Sequence, residues 1–139
     1  MTHMTDARGA LFADIWQSYR SLPGWVQIWV GVWLAPINMV SLFFLSEPMG
    51  VWIALLANIA MLLNLPVILH DRGFSKLMAL PHLLPWTLLV LLLILARPQA
   101  VGVYDAYLWV LLATNVVSLV FDYPDAIKWL KGDRKAAGR

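Results

Sequence analysis

Cysteine is absent from the 139 residues, which removes disulfides, thiolate metal sites and cysteine nucleophiles together and leaves the redox compartment unread. Charge is scarce, at 13% of the chain. No metal-ligand spacing joins histidine to carboxylate, and neither a phosphate-cradling glycine loop nor an acidic cluster for Mg²⁺ occurs. No catalytic set, no metal and no particular cofactor therefore follow from the residues. The strand-like alternation of polar and apolar residues that a transmembrane barrel needs is missing as well.

Apolar side chains fill the space. They make up 61% of the residues, and the mean hydropathy is +0.73. A soluble chain this short exposes too much surface to hide so much apolar material. Four runs, residues 25–45, 49–69, 77–96 and 104–121, come close to the ~20 residues that cross a hydrocarbon core of about 30 Å. None carries a charge in its interior. Lipid offers no partner for unpaired backbone groups, so the runs must be helices. The predicted fold is an all-α integral membrane protein: a four-transmembrane-helix bundle forming a single membrane domain, residues 1–139.

The basic residues set an orientation. Arg8 and Arg20 precede the first run, Arg72 and Lys76 lie between the second and third, and Lys128, Lys131, Arg134, Lys135 and Arg139 follow the fourth. Only Arg97 falls on the other side. The positive-inside rule then predicts a multi-pass protein of the inner (plasma) membrane with both termini and the His70–Lys76 turn cytoplasmic. With its net charge of +2 explained this way, nucleic acid is not an expected partner. The first run is too long for a signal-peptide core and lacks a small-x-small cleavage pattern, so it reads as a retained helix.

Two flanking segments read as interfacial. Over residues 5–22, Leu11, Phe12, Ile15, Trp16, Tyr19 and Leu22 share one helical face, and Leu22-Pro23-Gly24 then breaks the helix. Residues 123–131 read as a second short helix, with Asp122 as its N-cap and Pro124 in its first turn. The remaining tail, 132–139, is too polar and small to be ordered alone.

A few polar groups sit where they cost energy. Asn38 lies near Pro36, Asn64 near Pro66 and His82 beside Pro81. An interior proline frees the carbonyl four residues earlier, so each polar side chain either satisfies that carbonyl or joins it in lining a site. Counted at ~1.5 Å per residue from each cytoplasmic end, Asn64, His82 and Asn115 lie about 8 to 9 Å deep, with Asn38 and Asn58 in a second layer near mid-bilayer. Together these five side chains form a candidate polar pocket, or else they hydrogen-bond neighbouring helices. His70, Asp71, Arg72 and Asp122 are candidates for its mouth. Gly73 is placed for a tight reversal and Ser75 to cap the third run. Trp25, Trp29 and Trp33, four residues apart, make either an aromatic wall or interfacial anchors and packing.

Three functional readings follow. The first is a non-enzymatic bundle, either a homo-oligomer or an accessory subunit of a larger membrane complex, motivated by small size and by the pairs Gly31/Ala35 and Gly50/Ala54. The second is a small-solute or ion transporter or channel with a pocket open to the cytoplasm. The third is an enzyme acting on a lipid or isoprenoid with His82 as base. Membrane lipids are partners in all three.

Overall fold

The computed structural model describes residues 2–138, with residues 2–7 described by their helical backbone alone. Helix α1 runs over Thr2–Ser21. Four further helices are long and apolar enough to cross a membrane: α2 over Gly24–Phe44, α3 over Gly50–Asp71, α4 over Lys76–Leu95 and α5 over Gly102–Leu130. No strand occurs among the described residues, and the one isolated bridge joins Ser75 to Ala136. Phe43, Leu84, Leu95 and Val103 stand exposed on the outside of the bundle. Water would penalise such a surface, whereas lipid tails match it.

Helix α2 is not uniform. Its middle, Trp29–Leu34, is a π-helical stretch in which the Ala35 N–H bonds Val30 O, five residues back. Pro36 follows directly; its ring would clash with the carbonyl four residues earlier, and the widened turn makes room. In α3 and α4, by contrast, Pro66 and Pro85 sit inside continuous helix. Pro81 lies in the first turn of the regular α-helical part of α4, Ala79–Leu95, where a missing N–H costs nothing.

Helices that follow one another in sequence pack together, with α4 against both α3 and α5, and α2 closes the bundle against α5. Polar and aromatic contacts make that closure. Tyr107 donates to the Ile37 carbonyl at 2.6 Å, Trp33 Nε1 donates to Thr114 at 3.0 Å, and Phe44 stacks on Tyr107 with centroids 4.9 Å apart. Trp86, Leu89, Leu108 and Leu111 form the fully buried middle.

One end of the bundle gathers α1, the turn after α3 and the C-terminal tail. Arg72 Nε meets Asp14 Oδ2 at 2.7 Å, the Phe74 N–H donates to Ser18 Oγ at 2.9 Å, and the Ala137 N–H donates to Phe74 O at 2.7 Å. Lys76 pairs with Asp133 at 3.0 Å. The tail, expected to lack a position of its own, is thus tied to the turn by backbone and charge. Ser18 of α1 is buried, while Phe12 and Trp16, two of the residues on its apolar face, point outward. Asp14 and Ser18 face protein because the turn offers them Arg72 and the Phe74 N–H as partners, whereas Gln17 and Arg20 remain exposed.

Several local expectations change. Residues 104–121 and 123–131 are one helix, so Asp122 is interior to α5 and caps nothing. Pro124 is accommodated within it. The left-handed residue that ends α3 is Arg72, at φ 53°, and not Gly73. Gly73 serves close approach instead: a Cβ there would lie 2.5 Å from Ser18 Oγ and 3.2 Å from Ala136 Cβ. Ser75 makes no cap hydrogen bond; its hydroxyl turns back to the Asp71 carboxylate. At the far end the solitary Arg97 is neutralised locally by Asp105 at 2.6 Å and covers Trp109.

Candidate functional site

The five intramembrane polar residues form two groups, divided differently from the depth count. Asn38 and Asn115 exchange a reciprocal amide pair, each Nδ2 donating to the other Oδ1 at 3.0 Å. Asn38 Nδ2 also reaches Leu34 O, and Ser41 links the Asn38 carbonyl to Asn58 Nδ2 at 2.6 and 2.9 Å. Asn115 therefore belongs to the deep layer. The fourth apolar run ends at Phe121, but α5 continues to Leu130, so Asn115 lies further from the helix end than the run alone implies.

The shallower group is Asn64, His82 and Asp122. His82 Nδ1 lies 3.1 Å from Asp122 Oδ2, and His82 Nε2 lies 2.5 Å from Asn64 Nδ2. An ionised carboxylate only accepts, so Nδ1 carries the proton; the Asn64 amide donates, so Nε2 accepts. With the amide nitrogen of Asn64 turned to Nε2 the ring carries its proton on Nδ1 alone; the reversed amide would bring the unpartnered Oδ1 to Nε2 and suit a ring protonated on both nitrogens. Trp86 stacks on it at 4.1 Å and is itself held by an Nε1 hydrogen bond to Ala57 O at 3.1 Å. Ser118 donates a further bond to Asp122 Oδ2 at 3.2 Å. Asn64, 4% exposed, keeps Oδ1 buried without a hydrogen-bond partner among the described residues.

His82 and Asp122 open onto a cavity of about 530 Å³ at the end where α1, the turn and the tail meet. Its apolar wall is formed by Trp25, Trp29 and Leu34 of α2, Phe121 of α5 and Phe74 of the turn. The polar side carries Ser118, Asp122 and Asp125 from α5, Lys76 from the start of α4, and Asp133 and Lys135 from the tail. Trp25 meets Phe121 with centroids 5.8 Å apart. Trp33, the third of the indole series, hydrogen-bonds Thr114 outside this cavity.

Of the candidate residues, His82 and Asp122 line the cavity and Asn64 stands behind His82. Asn38, Asn58 and Asn115 bond to helices away from it. His70, Asp71 and Arg72 are also away from the lining: His70 is exposed and contacts Asp71, and Arg72 holds Asp14. Neither Asn38, Asn64 nor His82 hydrogen-bonds the carbonyl freed by a neighbouring proline; Asn38 reaches Leu34 O, and the other two reach side chains. Ser118 beside Asp122, and Lys76, Asp125, Asp133 and Lys135 in the lining, were not among the candidates. Asn115, Ser118 and Asp122 fall at i, i+3 and i+7, a one-face helical stripe that would have disclosed Ser118.

Among the described residues no group of three or more metal-ligating side chains converges. Comparison with protein-family models, with curated proteins and with solved structures finds no match to this chain.

Proposed function

We propose that this chain, a small multi-pass membrane protein, takes a small amphipathic molecule into the cavity bounded by α2, α4, α5 and the tail, which is the binding step of the transporter or channel reading. The observation that carries this is the cavity itself: about 530 Å³, within the range of small-molecule sites, apolar on one side and with few converging polar groups on the other. A solute with an apolar body and a polar head suits both sides at once.

The other two readings have less to rest on. An enzyme using His82 as base needs a ring nitrogen free for substrate, and both are engaged, by Asp122 and by Asn64. The oligomeric or accessory-subunit reading drew on two small-residue pairs, of which Gly50/Ala54 is occupied within the chain: a Cβ on Gly50 would meet the Phe44 carbonyl, and Ala54 is buried; Gly31 is exposed beside the Tyr19 hydroxyl and Ala35 is half-buried. The end that carries the termini would face the cytoplasm under the positive-inside rule, with Phe12 and Trp16 of α1 in the membrane interface.

The test is to fill the cavity. Val30 lies in its lining; Val30→Trp in lipid nanodiscs should abolish binding of a small aromatic amphiphile, followed by equilibrium dialysis against empty nanodiscs. Ile94→Trp, on the exposed outer face, should leave binding intact. Equal binding by both variants would remove the cavity from the function.

A further inference from the structure

We infer that the cavity selects a monocation with an apolar body, an alkyl- or arylammonium compound, and that the Asp122 carboxylate is its counter-ion. This rests on the reading of the cavity as a binding site and adds the charge of the ligand.

The charge balance of the lining carries the inference. Lys76 and Asp133 satisfy each other at 3.0 Å. That leaves Asp122 and Asp125 against Lys135 alone. Asp122 is the more enclosed of the charged partners, with a side chain only 13% exposed. The two donors that reach its Oδ2, the His82 Nδ1–H and the Ser118 hydroxyl, are both neutral when Asn64 donates to His82 Nε2. Hydrogen bonds to neutral donors reduce the cost of a secluded carboxylate but leave its charge uncompensated, and a buried charge without an opposite one is expensive. A ligand cation arriving from the open end would supply the missing charge.

The apolar wall has the matching chemistry. Trp25, Trp29, Phe74 and Phe121 present indole and phenyl rings around the same space. Aromatic faces attract ammonium groups, most strongly where water is excluded. An anion would meet an uncompensated carboxylate and the negative faces of those rings. A neutral solute would fill the space without neutralising Asp122. The excess of basic residues elsewhere at this end does not reverse this, because Arg72 is paired with Asp14 and Arg134 lies over Trp129, outside the lining.

The experiment compares isosteres that differ in charge. Benzyltrimethylammonium, its all-carbon analogue neopentylbenzene and benzenesulfonate are equilibrated with the protein in nanodiscs, with empty nanodiscs as the blank. The cation should bind at least about tenfold more tightly than the carbon analogue, equivalent to about 1.4 kcal/mol, and the sulfonate should not bind above the blank. Asp122→Asn, which keeps an oxygen acceptor for His82 and Ser118, should bring the cation down to the affinity of the carbon analogue. Asp105→Asn, at the opposite end, should change nothing. Equal affinity for cation and carbon analogue in the unaltered protein, or a preference that survives Asp122→Asn, would overturn the charge assignment while leaving the cavity as a binding site. Binding of none of the three would overturn both. The isostere comparison needs no variant, so it decides the matter even if Asp122→Asn fails to fold.

Discussion

His82 and Asp122 come from helices α4 and α5, and their Nδ1 and Oδ2 atoms lie 3.1 Å apart near the end of the bundle that carries both termini. Each makes the other tolerable: the carboxylate receives a directed donor, and the ring Nδ1–H receives an acceptor. Replacing Asp122 by alanine strands the His82 Nδ1–H and the Ser118 hydroxyl together. Asp122→Ala should therefore lose about 1–3 kcal/mol of stability, whereas Asp122→Asn should lose clearly less. Chemical unfolding followed by tryptophan fluorescence checks this, and equal losses would mean that the carboxylate position accepts no hydrogen bond.

The Asn38–Asn115 amide pair joins α2 to α5 in the deep layer. Hydrogen bonds between membrane helices couple by about 0.6 kcal/mol on average and up to about 1.7. A double-mutant cycle with Asn38→Ala and Asn115→Ala should give a coupling toward the upper end of that range, because two bonds are lost at once. Additive losses would show that the amides do not face each other.

Gly73 is the point where α1, the turn and the tail meet. A methyl group there would lie 2.5 Å from Ser18 Oγ, so Gly73→Ala must push α1 or the tail away. The expected cost is about 1–3 kcal/mol, with faster proteolysis of the tail as a second readout. A neutral Gly73→Ala would contradict the three-way contact.

Because the chain has no cysteine, single cysteines report topology without background. Cysteine at Lys131 and at Ser46 lies at opposite ends of the bundle. A membrane-impermeant maleimide applied to intact spheroplasts should label Ser46→Cys and spare Lys131→Cys. The reverse pattern would place the termini outside.

The four spans were legible from hydropathy alone, because lipid solvation acts on each helix separately. The site was legible only in part. His82 and Asn64 stood out as polar groups within apolar runs, but their convergence depends on helix facing, which a single chain does not encode locally. Asp122 was misread as a cap since Tyr123-Pro124 looks like a helix start; α5 absorbs Pro124 and carries Asp122 onto the face of Asn115 and Ser118. The cavity was not legible. It exists because α2 meets α5 firmly at Asn38 and Trp33 and leaves room beyond them, where the tail bonded to Phe74 contributes the remaining lining.

The cation preference proposed for the cavity depends on His82 being held neutral between Asp122 and Asn64, since a protonated ring would already compensate the carboxylate. Of the three histidines in the chain, His3 and His70 can be replaced so that His82 alone is observed. Nitrogen-15 NMR of the labelled imidazole in lipid bilayers at neutral pH should show Nδ1 protonated and Nε2 bare. A ring protonated on Nε2, or on both nitrogens, would contradict it.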